Sequence, residues 1–296
     1  MYATNENELS DFTLNVANLA AIAKLSAPYD SFLSSVKRDY SAHIEEVDFT
    51  DVNYNYSSLD SWIQKRTSNK VEKVFDQPPD SDTRIFLFNA IHFKDKWLIP
   101  FDDGATMLRA FYNENGAKKE VPTIFVRDVF NYADLPSMQI QIIELPYLNN
   151  VSFGIIYPYS RDGLSNVLQS LRANKFASIT KKMKKIELEL YMPKMKLDSS
   201  LDLKYELCEL GMCDAFTRTA DFSRISNESL FVSEAKHRCF LTIDESGSEA
   251  TAVTAFKLYP RSMFFGPTIH IDHPFAFIIR DLVNGVHLFF GVVKNF

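Results

Sequence analysis

The chain has 296 residues, of which 46% are hydrophobic and 24% charged, and its formal net charge is −6. This composition is typical of a globular protein with a large core and excludes a disordered chain. The acidic balance argues against nucleic acid or an anionic membrane as the main partner, so we expect no nucleic acid and no membrane. The sequence contains no repeat, low-complexity tract or linker, which favours one domain over residues 1–296.

Two helices are predicted in the first quarter of the chain. The apolar segment 12–27 contains two asparagines and a lysine, which excludes a membrane span, and the residues before it do not resemble a signal peptide. Residues 29–40 follow a proline and are predicted to be helical. Residues 57–75 have apolar side chains at helical spacing, and Ser57 followed by Asp60 resembles a capping box.

Strands are predicted through the middle of the chain. Residues 85–93 are nearly all apolar, as in a strand that is covered on both faces. Residues 186–192 alternate apolar and polar side chains, so one face of that strand is expected to be wet. A short helix with leucines on one face is predicted over residues 203–210, and Gly211 is well placed to end it.

Three more strands are predicted towards the C-terminus. Residues 231–243 form a long candidate, and residues 275–280 and 287–293 form two short ones, separated by the turn residues Asn284 and Gly285. Helices come early, strands occur throughout, and the two do not alternate regularly. The predicted fold class is therefore α+β.

The three cysteines, Cys208, Cys213 and Cys239, are too few for a disulfide framework and lack the spacing of a metal site. Buried free thiols are the preferred interpretation, and at least one of the three must be unpaired within the chain. We expect no metal and no cofactor. The lysines clustered at 181–185 are predicted to form a solvated surface, with polyanion binding as the less favoured alternative.

Three N-x-[S/T] sequons permit secretion and glycosylation, although chance alone gives one or two in such a chain. Their asparagines are Asn55, Asn150 and Asn227.

Residues 244–262, DESGSEATAVTAFKLYPRS, combine a run of small residues with a following basic residue. If the run forms a strand, the side chains of one face are all small: Ser248, Ala250, Ala252 and Thr254. Small side chains allow a segment to slide between two existing strands without displacing packed neighbours, and Gly247 supplies a backbone hinge. Taken alone, the run is more typical of an Ala/Thr-rich linker or a frayed helix.

The sequence Pro260-Arg261-Ser262 is a second feature of this segment. An exposed arginine is the residue that a trypsin-like specificity pocket with a buried aspartate accepts, and the proline stiffens the backbone beside it. An Arg-Ser pair alone indicates little, because any surface loop can contain one.

Ordered motifs from about residue 14 to the C-terminus resemble those of the serpin family. They are FNAIHFKDKW (88–97), ELPY (144–147), YMPKM (191–195), LGMCDAF (210–216), ADFSRIS (220–226), LFVSEAKHRCFLTIDESGSEA (230–250), DHPFAFIIRD (272–281) and LFFGVVKNF (288–296). The resemblance implies a serpin fold of the α+β class. In that fold, a large mixed or antiparallel sheet A, sheets B and C and surrounding helices carry an exposed reactive-centre loop, here at about 245–267.

The resemblance also implies the functional residues. In inhibitory serpins the scissile residue lies sixteen positions after the first Glu of the hinge, which makes Arg261–Ser262 the reactive bond. Asn89 and His237 match the pair called the shutter, and Trp97 matches the tryptophan of the region called the breach. The implied hinge residues are Glu245, Gly247, Ser248, Glu249, Ala250, Thr251, Ala252 and Val253. They lack the bulky or proline residues of many non-inhibitory members.

The implied activity is suicide inhibition of a trypsin-like serine protease, in which the cut loop inserts into sheet A and carries the covalently attached protease along. We expect a monomer whose partner is that protease. The alternative is a non-inhibitory serpin with a carrier, chaperone or storage role, or an inactive fragment that is cleaved as a substrate. The sequence lacks the motifs of known hydrolases, so it predicts that the protein is not an enzyme.

The start of the chain departs from the family pattern. The first three helices and one strand of sheet B, on the order of eighty residues, have no counterpart before residue 12. We therefore expect an N-terminally truncated single serpin domain. The sequons and the family resemblance lead us to expect an extracellular, secreted glycoprotein.

Overall fold

The computed structural model describes residues 12–170, 179–180, 182–248 and 264–296. In these ranges the α-helices are α1 Asp30–Tyr40, α2 Ser57–Arg66, α3 Leu164–Ser170 and α4 Lys204–Glu209. The strands are β1 Thr13–Ala23, β2 His43–Val47, β3 Ile85–Lys96, β4 Met107–Tyr112, β5 Lys118–Leu135, β6 Ile140–Pro146, β7 Val151–Pro158, β8 Lys184–Pro193, β9 Met195–Asp202, β10 Val232–Ile243, β11 Gly247–Ser248, β12 Thr268–His270, β13 Phe275–Asp281 and β14 His287–Val293. No helix in this part of the chain is long and apolar enough to cross a membrane.

The chain divides into two compact units, one of Lys94–Lys196 and Thr242–Phe296 with Phe12, the other of Thr13–Phe93 and Leu197–Leu241. We call them the hinge unit and the shutter unit, after the predicted residues that each contains. The expectation of a single domain is not tested by this division and stays a prediction.

The shutter unit is built on a sheet in which the strands follow the order β2-β1-β3-β10-β9. β3 and β10 run parallel and pair directly, with His237 opposite Asn89. Alternate side chains of β3, among them Phe86 and Phe88, pack with those of α2 into one buried cluster. The other face of β3 is less covered, since Leu87 is 37% exposed. The prediction of a strand covered on both faces is therefore wrong.

The hinge unit contains a second sheet with the order β12-β8-β5-β6-β7-β13-β14, to which β4 adds along β5. β8 alternates buried and more exposed residues, which confirms the predicted wet face. β13 and β14 confirm the two predicted C-terminal strands and pair antiparallel, and Gly285 adopts a φ of 68° in the predicted turn between them. The mixture of two sheets with few helices confirms the predicted α+β class.

Helix α2 ends nine residues earlier than the apolar spacing predicts. Ser68 and Asn69 adopt left-handed φ values of 51° and 60°, which end the helix. The predicted capping box does not form either. The backbone N–H of Ser57 donates to Asn55 Oδ1, and Asp60 Oδ1 accepts from the N–H of Val74, so neither side chain caps the helix. By contrast, α1 and α4 lie within the predicted ranges.

The cysteines correct another prediction. Cys208 and Cys213 form a disulfide, because the chain reverses at Gly211, where φ is 91°, and brings their Cα atoms to 4.2 Å. Only Cys239 is a free thiol in the described residues. Burial, together with the nearby Asp198 carboxylate, raises the pKa of Cys239 to about 11. The thiol is therefore protonated and unreactive at neutral pH.

Candidate functional site

The predicted hinge begins as a strand. Gly247 and Ser248 form β11, which pairs antiparallel with the end of β3, so that Gly247 lies opposite Lys96 and Ser248 opposite Asp95. Ser248 is fully buried, and its hydroxyl lies 2.7 Å from the hydroxyl of Tyr147. Gly247 and the first residue of the small-residue run, Ser248, are thus paired with the end of β3.

Glycine is required at position 247 for two reasons. Its φ is 150°, a conformation that residues with a Cβ rarely adopt. A Cβ at this position would lie 2.2 Å from the carbonyl oxygen of Asp95 and 2.7 Å from the Cα of Lys96. Because both contacts are with backbone, no side-chain rotation relieves them, and β11 approaches β3 this closely only with glycine here.

The carboxylate of Asp244 holds the turn that precedes β11. Its Oδ1 accepts hydrogen bonds from the backbone N–H of Ser246 at 2.9 Å, from the Ser246 hydroxyl at 2.9 Å and from the N–H of Gly247 at 3.2 Å. The N–H of Asp244 donates to the carbonyl of Gly247 at 3.0 Å. A side chain that bonds its own backbone two and three residues ahead stabilises a tight turn, so the hinge leaves β10 in a defined direction.

Trp97 anchors this turn from the side of β3. Its ring stacks on Tyr147 with 4.2 Å between ring centroids, and its Nε1 donates to the carbonyl of Asp244 at 2.9 Å. Its backbone N–H donates to the carbonyl of Ser246 at 2.9 Å. Burial raises the pKa of Tyr147 well above its usual value, so the phenol stays neutral and remains a hydrogen-bonding partner of Ser248.

Glu245, the first hinge residue, is held by a cation and a hydroxyl. Nζ of Lys194 lies 2.7 Å from Oε2, and the hydroxyl of Thr106 donates to Oε1 at 2.6 Å. The backbone N–H of Phe101 donates to the Glu245 carbonyl at 2.9 Å. Burial acts to raise the pKa of Glu245, but the hydrogen bonds from Lys194 and Thr106 outweigh it and lower the pKa. The side chain is therefore ionised and fixed at neutral pH.

The carboxyl group of Asp95 is buried against the hinge strand β11. The residue is 2% exposed, and its Oδ1 accepts from the Lys96 N–H and from Asn149 Nδ2, both at 2.8 Å. Its Oδ2 is buried and makes no hydrogen bond within the described part of the chain. Burial raises the pKa of Asp95, since ionising a carboxyl away from water is costly. This carboxyl makes the junction between β3 and β11 less stable than it would be with a neutral residue.

In the shutter unit, three side chains form a separate polar network. Asn89 Nδ2 donates to Asn18 Oδ1 at 2.7 Å, which leaves Asn89 Oδ1 to accept from Nδ1 of His237 at 2.6 Å. Burial lowers the pKa of His237, so its imidazole is neutral at pH 7. The network connects β1, β3 and β10 through side chains in addition to their backbone ladders.

Comparison with known proteins identifies the family. The family model described as "Serpin (serine protease inhibitor)" matches residues 1–296. The chain belongs to the serpin family. It is 32% identical to Iripin-8 of the tick Ixodes ricinus over 292 residues, which cover 96% of this chain and 73% of the relative. It is 30% identical to intracellular coagulation inhibitor 1 of Tachypleus tridentatus, covering 97% of this chain and 70% of the relative.

Solved serpin structures have the same fold as this chain. Human thyroxine-binding globulin, solved with thyroxine bound, superposes with a TM-score of 0.86 at 26% identity, covering 97% of this serpin and 76% of the globulin. The predicted family and the serpin fold are therefore both confirmed.

The prediction that the protein is not an enzyme rested on the absence of hydrolase motifs, and its basis needs correction. The family is described as serine protease inhibitors, and the Tachypleus relative is named an inhibitor. Such inhibitors bind enzymes and are not catalytic enzymes, so the functional class rests on this positive match.

The structure brings several of the predicted residues together in this serpin. In the hinge unit, Glu245, Gly247 and Ser248 lie beside Trp97, and in the shutter unit Asn89 contacts His237. The remaining predicted site residues lie outside the described residues: Glu249, Ala250, Thr251, Ala252, Val253, Arg261 and Ser262.

Sequence reasoning missed five residues that hold these sites. They are Asn18, Asp95, Thr106, Tyr147 and Lys194. Asp95, Tyr147 and Lys194 lie within the motifs FNAIHFKDKW, ELPY and YMPKM, but the motifs assigned no role to these side chains. Asn18 and Thr106 lie outside the quoted motifs that carry the resemblance, and no local pattern distinguishes Thr106 from an ordinary surface residue.

Proposed function

We propose that this serpin is a monomeric suicide inhibitor of a trypsin-like serine protease, with Arg261–Ser262 as the reactive bond. The observation that carries the proposal is β11, where Gly247 and Ser248 pair with the end of β3 in a strand that the small residues after Ser248 can continue. A loop that only linked two elements would need neither the glycine-dependent approach at Gly247 nor the buried Ser248 hydroxyl.

The proposed reaction begins as ordinary proteolysis. The protease serine attacks the carbonyl carbon of Arg261, the peptide bond to Ser262 breaks, and the amino group of Ser262 leaves with the proton. Arg261 is then esterified to the protease. Insertion of the freed segment before water attacks this ester traps the acyl-enzyme, so one inhibitor molecule is consumed for each protease.

The register of β11 predicts how the cut segment inserts. Because the pairing is antiparallel, each step forward along the loop is one step back along β3. Ala250 would lie opposite Phe93, Ala252 opposite Ile91, and Thr254 opposite Asn89 of the shutter. Segment 249–258 would reach the start of β3 at Ile85 and separate β3 from β10, which pair directly in this structure.

In this register each side chain of the inserted segment would lie on a defined face of the sheet. This assignment explains why the run from Ser248 to Ala255 consists mostly of small residues. Residues on the Ser248 face would meet the buried Phe93, so only small side chains fit there. Residues on the other face, such as Val253 and Ala255, would lie opposite Ala90 and Phe88, which belong to the buried cluster beneath α2. Insertion would thus bury further apolar area on that face and add backbone hydrogen bonds on both edges of the new strand.

The test mixes the purified chain with trypsin and separates the products on a denaturing gel. We expect a covalent band at the summed mass and a released fragment whose N-terminus is Ser262. Cleavage at Arg261 with trypsin left fully active would show a substrate and would overturn the inhibitory mechanism.

Two variants make the test specific. Ala250→Glu puts a charged side chain opposite Phe93 without adding a trypsin site, and it should turn the inhibitor into a substrate that is cut at the same bond. Val283→Glu introduces the same side chain at a turn position that is 73% exposed, and it should form the complex like the original chain. Equal complex formation by both variants would contradict insertion in the proposed register.

A carrier role is the second candidate, favoured by the similarity to a thyroxine-binding globulin structure. The trypsin experiment separates the two candidates, since a carrier needs no covalent trap and would be cleaved without one.

We also propose that the protein is extracellular and glycosylated. The asparagines of the three sequons are exposed, as an acceptor site requires: Asn55, Asn150 and Asn227. The name of one relative, intracellular coagulation inhibitor 1, points instead to an intracellular location for that protein. Expression in a secreting eukaryotic cell tests the proposal, since a glycosidase treatment that leaves the gel mobility unchanged would refute glycosylation.

A further inference from the structure

A cavity of about 320 Å³ lies in the hinge unit, away from the β11 contacts. Its walls come from strands β4, β5 and β8 and from the chain around β12. The side chains that matter for its chemistry are Arg109, Tyr112, Tyr191, His270 and Asp272. The size is at the lower end of the range of small-molecule sites, and aromatic walls with a few polar groups are typical of them.

Arg109 is the residue that gives this cavity a ligand preference. Its guanidinium carbon lies 3.9 Å from the centroid of the Tyr191 ring, so the face of the cation is stacked. Stacking does not satisfy the N–H groups, which point along the edge of the guanidinium plane. Within the described ranges, the Nε atom is buried without a hydrogen-bond acceptor and Arg109 forms no ion pair with a carboxylate. A buried donor of this kind is costly until an acceptor arrives.

The one carboxylate in the wall does not neutralise Arg109. Asp272 Oδ1 lies 2.8 Å from Nδ1 of His273 and 2.9 Å from the hydroxyl of Tyr157, and its Oδ2 lies 3.9 Å from Arg161. Those partners satisfy the carboxylate of Asp272, and it forms no ion pair with Arg109 among the described contacts. Arg161 is itself occupied, since its guanidinium lies 3.3 Å from the Tyr112 ring centroid and pairs with Asp272. The cavity therefore presents an uncompensated positive charge.

The aromatic walls define the rest of the ligand. The Tyr191 ring stacks with His270 at 4.5 Å between centroids, and Tyr112 lines the same space. We propose that this cavity is a binding site for a small aromatic oxyanion, a single ring carrying a carboxylate or sulfate group that bonds Arg109. The site is independent of the reactive centre and of the proposed inhibition.

Calorimetry with phenyl sulfate tests the proposal on the whole chain at constant ionic strength. We expect the original chain to bind phenyl sulfate at least tenfold more tightly than inorganic sulfate, and Arg109→Gln to lose at least tenfold of that affinity. The matched control is Lys119→Gln, which removes one positive charge from an exposed position on β5 beside Phe111, outside the cavity wall. It should change the affinity less than twofold.

A chemical experiment avoids dependence on the folding of the variant. Phenylglyoxal modifies accessible arginines, and peptide mass mapping reports each site separately. Phenyl sulfate should slow the modification of Arg109 and leave that of the exposed Arg224 unchanged. Unchanged modification of Arg109, equal affinity for inorganic sulfate, or equal losses in Arg109→Gln and Lys119→Gln would each overturn the proposal.

Discussion

At the residue scale, the buried polar groups of the two predicted sites differ in how many of their hydrogen-bonding atoms have partners. The shutter network satisfies Asn18 and Asn89 and keeps His237 neutral. In the hinge unit, Glu245 is fully held by its partners, whereas Asp95 retains a buried oxygen with no partner among the described residues. A buried carboxylate of this kind lowers the stability of the state that buries it.

Replacing Asp95 with asparagine should therefore stabilise the fold. The raised pKa of Asp95 means that the carboxyl stabilises the fold only when protonated, and this contribution is lost as the pH rises through the folded-state pKa. At pH 7 we expect Asp95→Asn to raise the free energy of unfolding by about 1 kcal/mol. The difference should vanish in urea titrations as the pH falls towards about 4. Glu120→Gln, at an exposed position, is the control and should have little effect at either pH. A stability loss in Asp95→Asn at pH 7 would contradict this account.

His237 gives the opposite pH dependence. Its pKa is lowered by burial, so the neutral ring favours the folded state and that contribution is lost as the pH falls below about 6.5. We expect the free energy of unfolding to drop between pH 7.5 and 5.5 in the original chain and to drop less in His237→Gln, which keeps a donor for Asn89. Identical drops measured by urea titration would assign the pH dependence to other groups.

Individual site residues were predictable to different degrees. Trp97, Asn89 and His237 were predicted by resemblance to family motifs, and their contacts agree with grouping them in two sites. Tyr147 and Lys194 lie within the motifs ELPY and YMPKM, but their roles could not be predicted, because these depend on contacts with residues 101 and 51 positions away.

At the scale of elements, the short strand β11 decides how the loop leaves the fold. It consists of two residues, and Gly247 fixes its register on β3. A side chain at this position would force the two backbones apart. The strand is therefore the element that a single substitution should disrupt most directly.

Gly247→Ala should disrupt β11. We expect it to lower the free energy of unfolding by at least about 2 kcal/mol more than Gly116→Ala. The comparison is matched, because Gly116 also has a positive φ, of 82°, but a Cβ there would meet nothing within 4 Å. Amide exchange at Trp97, which donates to Ser246, should also accelerate in Gly247→Ala alone. Equal effects of the two substitutions would show that β11 does not depend on the close approach.

The ends of the helices show which local conformations the spacing of apolar residues does not predict. α4 was predictable, because its leucines recur at helical spacing and Gly211 ends it. α2 was overestimated, since the left-handed conformations of Ser68 and Asn69 are not encoded in any apolar period. The disulfide was missed because a spacing of five residues does not reveal that the chain reverses between the two cysteines.

At the scale of the whole molecule, the resemblance to serpins predicted the family and the fold class, and both are confirmed. The structure adds the register in which Gly247 and Ser248 pair with β3, which motif matching cannot supply. From this register we predict which residues of the loop would lie opposite which residues of β3. The central claim is that, after cleavage at Arg261, segment 249–258 becomes a strand beside β3.

The most direct measurement compares the thermal unfolding midpoint of the intact chain with that of the chain cut between residues 258 and 263 by a metalloprotease, with the cut confirmed by mass. A metalloprotease forms no acyl-enzyme, so it is not trapped and releases the cut chain. Ten inserted residues at about 1 kcal/mol of hydrogen bonding each should raise the midpoint of this 296-residue chain by about 15 °C. Ala250→Glu, cut at the same bond, should show a much smaller rise. An unchanged or lower midpoint in the cut original chain would contradict loop insertion and leave this serpin without the proposed inhibitory mechanism.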